Sequence, residues 1–177
     1  MKLNYQLTED DYLAFQLYTS SHSPLHKKRR FRSKIIVPVA YLGFGLYSYL
    51  TKDSFSTLII FATLALAWFL AYPYYMRWAY KRHFKRNIAE NYGNRVYSDI
   101  QVEFLPDSIT SQDKSGSSAI KTDQLTELVE TAEHYFVKLI TGESFIIPKT
   151  AVEDAQRFKE TILAYGPSYT DANDWKW

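Results

Sequence analysis

The chain has 177 residues, a net charge of +2 and a mean hydropathy of −0.30, average values that are typical of a small soluble protein with one domain. It contains no cysteine, which excludes disulfide bonds, a thiolate nucleophile and zinc–thiolate sites. Only His22 and His26 have the spacing of a metal-binding pair, and no nearby carboxylate completes a site, so we predict no metal.

Residues 1–34 are predicted to form a short strand, a short helix and a basic segment. Leu3, Tyr5 and Leu7 alternate with polar residues, as in a strand with one buried face. A capping box from Thr8 to Asp11 then opens the helix, which is predicted to end between Ser20 and Pro24. We interpret the carboxylates of its first turn as partners of the helix dipole.

Two uncharged runs follow, and both are long enough to cross a membrane as helices. They cover residues 35–51 and 54–76, and only Lys52 and Asp53 separate them. At 1.5 Å per residue they span about 26 and 34 Å, against a hydrocarbon core of about 30 Å. The alternative is a buried helical hairpin in a soluble protein. Neither run contains Asp, Glu, Lys, Arg or His, so we predict a membrane anchor and not a channel or pump.

Basic residues flank the hairpin on both sides and predict its orientation. Six lie before the first run: Lys27, Lys28, Arg29, Arg30, Arg32 and Lys34. Five lie after the second run, on a helical stem predicted over residues 77–94: Arg77, Lys81, Arg82, Lys85 and Arg86. The positive-inside rule places both flanks and both termini in the cytoplasm. The stem cations are candidates for contact with the membrane surface or for docking a domain, and the alternative is a topology signal only.

From residue 95 the hydrophobic period changes to two, which predicts a domain of strands over residues 95–166. Six short strands lie between Ile100 and Ile147, and the last two flank a hairpin turn at 141–143. A helix is predicted to begin at a capping box of Thr150 and Glu153 and to end at Gly166. The predicted fold is therefore an α+β membrane protein, with a two-helix transmembrane hairpin and a pleckstrin-homology-like (PH-like) antiparallel barrel or sandwich closed by this helix. Residues 167–177 are predicted to be a loosely held tail.

Three stretches of this sequence together resemble the YcxB-like family of bacterial membrane proteins. They are the opening NYQLTEDDYLAFQLY, the basic run before a two-span hairpin, and LTELVETAEHYFVKLITGESFIIPKTA. The most specific part is Phe145–Lys149, whereas Leu125–Leu128 departs from the pattern because it lacks a tryptophan. The resemblance implies a multi-pass protein of the bacterial plasma membrane with a PH-like cytoplasmic domain, and it brings no catalytic residues.

Charge is divided very unevenly between the two halves of the chain. Residues 1–94 have 13 Lys and Arg against 5 Asp and Glu, whereas residues 95–177 have 8 against 14. An acidic domain is repelled by anionic lipid and by nucleic acid, so we predict that neither binds to it. We predict instead a protein-binding acidic face formed by Glu127, Glu130 and Glu133, with Arg82, Lys85 and Arg86 opposite. The alternative is solvated charge on a strand.

Two hypotheses for the function follow. The first is a membrane-anchored, non-catalytic protein-interaction or regulatory module, similar to some immunity proteins against membrane-active toxins. The second is a structural or assembly subunit of a larger membrane complex, in which a homo-oligomer is also possible. No cofactor is predicted, and an enzyme is disfavoured because the chain lacks the GxSxG, Walker A, HExxH and GxGxxG motifs.

Overall fold

The computed structural model describes residues 1–52 and 54–177, and divides them into two units. The helical unit is residues 17–83, and the α+β unit is residues 1–16 together with 84–177. Asp53, which the sequence places between the two apolar runs, lies outside the described residues. The elements in chain order are β1 (Lys2–Gln6), α1 (Glu9–His22), α2 (Pro24–Lys52), α3 (Phe55–Tyr92), β2 (Asp99–Phe104), β3 (Ser108–Asp113), β4 (Gly116–Lys121), β5 (Leu125–Thr131), β6 (His134–Leu139), β7 (Ser144–Pro148), α4 (Ala155–Leu163) and β8 (Ser168–Ala172).

In the helical unit, α2 and α3 are each long and apolar enough to cross a membrane. Only 6% of the apolar window of α2 and 11% of that of α3 are buried within the protein, whereas the core helix of a soluble protein is mostly buried. The helices approach closely at Gly45, where an added Cβ would lie 3.1 Å from the Cβ of Phe61. Gly43 faces open space. Of the two glycines, only Gly45 therefore serves the contact between the helices.

The α+β unit contains two four-stranded sheets. Sheet A has the order β1-β2-β3-β4 with antiparallel neighbours, and sheet B has the order β7-β6-β5-β8. Strands β2 to β7 confirm the six predicted strands. Strand β1 joins sheet A beside β2, where the Met1 amino group also donates to the Phe104 carbonyl over 2.8 Å.

Two helix starts in the α+β unit test the predicted capping boxes. The box at α1 is confirmed, because Asp11 N donates to Thr8 Oγ1 over 3.2 Å and Thr8 N donates to Asp11 Oδ2 over 2.7 Å. The predicted box at Thr150 is wrong. Thr150 lies in a 3₁₀ turn, and α4 is capped by Asp154, whose carboxylate accepts from Arg157 N over 2.9 Å. Thr and Asp are both good caps, and spacing alone does not choose between neighbouring candidates.

One buried cluster joins both sheets and α4. Val102, Ile109, Leu128 and Phe158 are among its fully buried members, and the Phe158 ring contacts those of Phe104 and Tyr135. The opposite face of sheet B is also covered, because Phe15 of α1 packs edge-on against the buried Phe136. Helices α1 and α4 therefore cover the two faces of sheet B.

The two sheets do not close into a barrel, and the predicted tail explains why. Residues 168–172 form β8, which pairs in parallel with β5 from Glu127↔Ser168 to Thr131↔Ala172. Strand β8 thereby occupies the edge of β5 that closure with β4 would require. The prediction of a loosely held tail is wrong for this segment. The sequence of β8 is polar and does not alternate between apolar and polar residues. Its partner strand lies 41 positions earlier in the chain and runs parallel, so no nearby turn motif predicts the pairing.

Candidate functional site

The three glutamates of the predicted acidic face do not form one face. Residues three apart on a strand point to opposite sides, and Glu127 pairs across from Lys138 while Glu130 pairs across from Tyr135. Glu133 is exposed in the turn between β5 and β6. Glu130 is only 7% exposed, so the expectation that it faces water is wrong.

Glu130 is the centre of a buried ionic network. Its carboxylate lies 2.8 Å from Lys149 Nζ and 3.2 Å from Lys159 Nζ, and it accepts from the Tyr169 hydroxyl over 2.6 Å. Burial by itself would raise the pKa of Glu130, but the hydrogen bonds from Lys149, Tyr169 and Lys159 lower it to about 2. Glu127 is bonded to Lys138 and Thr170. These carboxylates hold β8 and α4 to the sheet and are not free to bind a partner.

The predicted stem cations fall into two groups. Lys85 lies 3.7 Å from Asp10, and Arg86 lies 3.0 Å from Glu90, so both have carboxylate partners within the α+β unit. Arg77, Lys81 and Arg82 belong to the helical unit, where all three are exposed and Arg82 stacks on the Trp78 ring at 5.3 Å. Among the described residues, the second group forms no ion pair with a carboxylate, whereas the first group does.

A cleft of about 410 Å³ at one end of the α+β unit is the strongest candidate for a binding site. Both sheets line it: Ser111 and Ser118 come from sheet A, and Phe145 comes from sheet B. Ser111 pairs with the fully buried Val102 on one side and with Ser118 on the other, so both serines face the interior of the sandwich. Polar side chains thus lie on the inner face of sheet A at the cleft, where Ser111 is half-buried and Ser118 is exposed.

The lining of the cleft is rich in aromatic and hydroxyl groups. The aromatic members are Tyr5, Tyr12, Phe15, Tyr92 and Phe145, and the polar members include Gln16, Arg95, Ser111, Asp113, Ser118 and Ser144. Burial, together with the neighbouring Tyr12, raises the pKa of Tyr5, and burial also raises the pKa of Tyr12. Both phenols are therefore neutral hydrogen-bonding groups at pH 7. Tyrosine, phenylalanine and arginine are enriched at protein–protein interfaces.

An ion pair, Arg95 and Asp113, lines one side of the cleft, and one polar atom of the lining, Gln16 Oε1, has no hydrogen-bond partner among the described residues. Arg95 lies 3.9 Å from Asp113 and donates to Ser115 Oγ over 2.9 Å. Hydrogen bonds from Ser115 and the nearby Arg95 lower the pKa of Asp113, so its carboxylate is ionised at neutral pH. Gln16 Oε1 is buried without a hydrogen-bond partner among the described residues. A ligand with an N–H group would satisfy it.

Strand β4 brings an unpaired backbone edge to the same cleft. Thr122 N donates to Asp107 O over 3.3 Å, so Asp107 and Thr122 form a hydrogen-bonded pair at the end of the β3–β4 ladder. Along an antiparallel ladder, hydrogen-bonded pairs alternate with pairs that are not hydrogen-bonded to each other. Counting back from Thr122, the backbone N–H and C=O groups that point away from β3 belong to Ser117, Ala119 and Lys121. In the part of the chain that the structure describes, no strand pairs with this edge. The side chains of residues 116–119 are small and exposed, so they do not obstruct an added strand.

A carboxylate–histidine pair lies apart from the cleft. Asp11 Oδ1 is 2.6 Å from His134 Nε2, and their side chains are 16% and 6% exposed. Burial opposes ionisation of Asp11, but the hydrogen bonds from His134 and Thr8 lower its pKa below the usual value. Neither residue lines the cleft, so we assign the pair to holding α1 on sheet B. Among the described residues, no group of three His, Asp or Glu side chains is arranged to hold a metal ion.

The sequence contained a signal for the cleft that the predictions did not use. In β3, Ile109, Ser111 and Asp113 alternate, so the period that buries Ile109 also turns the next two side chains inward. A serine and an aspartate at interior positions indicate an opening in the core, because buried polar groups are otherwise costly. Tyr5, Tyr12 and Tyr92 gave no comparable signal, since their positions follow from the pairing of distant segments.

Comparison with known proteins supports the family resemblance for part of the chain. The family model described as YcxB-like protein matches residues 104–162. The match runs from the end of β2 into α4, one third of the 177 residues, and confirms the predicted resemblance there. Neither the curated proteins nor the solved structures yielded a match to the chain.

Proposed function

We propose that this chain is a membrane-anchored, non-catalytic protein-binding module whose α+β unit binds an extended segment of a partner protein. The unpaired edge of β4 beside the cleft carries the proposal. A partner strand would satisfy the outward N–H and C=O groups of Ser117, Ala119 and Lys121. Its alternate side chains would enter the cleft, where tyrosines, serines and Arg95 offer aromatic contact and hydrogen bonds.

The anchor is the pair α2 and α3, which we place across the bacterial plasma membrane with both termini in the cytoplasm. Their length and composition support this, and so does the small share of their apolar windows that the protein itself buries. Large aromatic residues near the basic end of α3 are exposed, including Tyr74, Tyr75 and Trp78, as expected of a ring at the membrane–water interface. The basic flanks support the orientation through the positive-inside rule.

The order of strands supports a PH-like arrangement as the finer description of the α+β unit. Strands β2 to β7 are antiparallel neighbours within their sheets, and α4 follows them and packs into the core. Strands β1 and β8 are additions at the outer edges. The outer edge of β4 remains open in sheet A, and a further strand there meets the small side chains of residues 116–119.

The cleft supports a binding role in preference to catalysis. The residues described around it include three serines but neither a histidine nor a lysine, the side chains that commonly activate a serine hydroxyl. Immunity against a membrane-active toxin is the more specific version of this function. It is tested by expressing the chain in cells exposed to a pore-forming toxin encoded next to its gene, and unchanged killing would exclude it.

A pair of substitutions at Ala119 tests the edge directly. A photoreactive amino acid at Lys121, introduced into the full chain in its native membrane, is expected to give a discrete crosslinked adduct. Ala119→Pro removes one outward N–H without removing a bond to β3, and should abolish the adduct. Ala119→Val keeps the N–H and favours the strand, so the adduct should persist.

A second pair of variants tests the cleft. Ser118→Trp fills part of the cleft and should lower the adduct yield, whereas Ser117→Trp on the opposite face of β4 should have a smaller effect. Equal yields from Ala119→Pro and Ala119→Val would reject strand addition. An adduct between two copies of the chain would identify a homo-oligomer instead of a separate partner. A stoichiometric partner that co-purifies equally well with all four variants would favour the assembly-subunit alternative.

A further inference from the structure

The helical unit carries a large positive charge at one end. Residues 17–83 contain ten Lys and Arg, and Asp53 is the only acidic residue in that part of the sequence. Nine of the ten lie in two short segments, 27–34 on α2 and 77–82 on α3. The two basic segments lie at the same height along the helix pair. The Tyr72 hydroxyl donates to the Arg30 carbonyl over 2.9 Å, and a ring nitrogen of His26 lies 3.4 Å from the Tyr80 hydroxyl.

Part of the charge packs between the helices. His26, Arg30 and Lys34 follow one another at four-residue intervals, which places them on one face of α2. All three are half-buried. Arg30 lies 5.7 Å from the centre of the Tyr80 ring, and Lys34 lies 4.0 Å from that of Phe69. These residues face aromatic rings of α3, so we assign them to the contact between the helices.

The remaining cations point outward. Lys27, Lys28, Arg29 and Arg32 on α2 are exposed, as are Arg77, Lys81 and Arg82 on α3. Trp78 lies among the cations of α3 and is 56% exposed. Tryptophan favours the depth of the lipid headgroups, so neighbouring cations on the same turns lie at the depth of the phosphates. If these cations only set the orientation of the helices, they need to be positively charged but do not need to prefer one lipid over another.

We propose that these seven exposed cations form a collar that binds anionic phospholipid headgroups in preference to zwitterionic ones. Each Lys or Arg near an anionic surface contributes about 1 kcal/mol of attraction, which corresponds to about fivefold in binding. The phosphodiester is the ligand, and the acyl chains hold it beside the apolar parts of α2 and α3. This inference rests only on the anchoring part of the proposed function, and it is independent of the β4 edge.

The test measures which lipids the full chain retains in detergent. The purified protein is stripped of lipid, mixed with equal amounts of phosphatidylglycerol and phosphatidylcholine, and weighed with its bound lipids by native mass spectrometry. Phosphatidylglycerol is expected to predominate. Replacing Arg77, Lys81 and Arg82 together by Gln should lower the ratio of the two lipids at least about fivefold, the effect of one cation.

The matched control replaces Lys2, Lys114 and Lys176 by Gln, which changes net charge equally at exposed positions of the α+β unit. This control should leave the lipid ratio unchanged. A ratio near one for the unaltered chain, or an equal fall in both triple variants, would overturn the collar. Displacement of the lipid by glycerol 3-phosphate would also overturn it, since a free phosphate would then be the ligand. Extraction of the chain from native membranes by alkaline carbonate would instead reject the anchor itself.

Discussion

The buried network around Glu130 gives the sharpest prediction about stability. A fall of the Glu130 pKa from 4.5 to about 2 corresponds to about 3 kcal/mol of folding free energy at 1.36 kcal/mol per pKa unit. The carboxylate side chain is only 9% exposed, so solvent screens little of this. Glu130→Gln keeps the shape of the side chain and removes its charge. We expect it to lower the free energy of unfolding by up to about 3 kcal/mol at pH 7.

The contribution of Glu130 to the free energy of unfolding should change with pH in a defined direction. Because the folded pKa of Glu130 is depressed, its contribution is fully present above pH 4.5 and is lost as the pH falls toward about 2. The difference in stability between the unaltered chain and Glu130→Gln should therefore shrink as the solution is acidified. Urea titrations of the full chain in detergent, followed by near-ultraviolet circular dichroism, measure both quantities. Tyr135 and Tyr169 hydrogen-bond to Glu130, so the signal reports on the site.

Glu133→Gln is the matched control, since this residue is exposed in the turn beside β5. Surface substitutions of this kind usually change stability by less than about 0.5 kcal/mol. Equal losses from the two glutamine variants would refute the assignment of Glu130 as a structural residue. A stability difference that stays constant from pH 7 to pH 3 would show that the carboxylate is not held ionised by its lysines.

Further predictions concern the attachment of α1 and the contact between α2 and α3. Asp11→Ala removes half of a capping box and a buried hydrogen bond, so it should lower the free energy of unfolding by about 2 kcal/mol in urea titrations. Asp10→Ala, at an exposed neighbour, should change it by less than about 1 kcal/mol. The lowered pKa of Asp11 means that its contribution is present above pH 3.8 and is lost on further acidification, which the same titrations can follow. Gly45→Leu should weaken the contact between α2 and α3, measured as faster amide exchange in α2, whereas Gly43→Leu should not, because nothing lies near its Cβ.

Local sequence patterns predicted most of the elements but not the way distant segments meet. The period of two in residues 100–147 and the capping box at Thr8 depend on neighbours a few positions apart, and the structure confirms both. The network at Glu130 depends on lysines 19 and 29 positions further on, and on β8, which pairs in parallel without an apolar stripe. The sequence itself argued against the acidic face. Glu127 and Glu130 are three positions apart on a strand, so their side chains point to opposite sides of the sheet.

The charge of the α+β unit does not by itself indicate the sign of a partner. Its acidic surplus is partly held in internal pairs, such as Glu130 with two lysines and Asp113 with Arg95, and other carboxylates such as Asp154 cap helices. The proposed recognition through the β4 edge and the cleft would rely on backbone hydrogen bonds and aromatic burial, which salt screens little. We therefore expect the yield of the adduct formed from position 121 to change less than about twofold between 0.05 and 0.5 M NaCl, a range in which the Debye length shortens about threefold. Capture by exposed acidic side chains would instead weaken steeply over the same range, so a tenfold fall in yield would return the acidic surface to consideration and reject the edge.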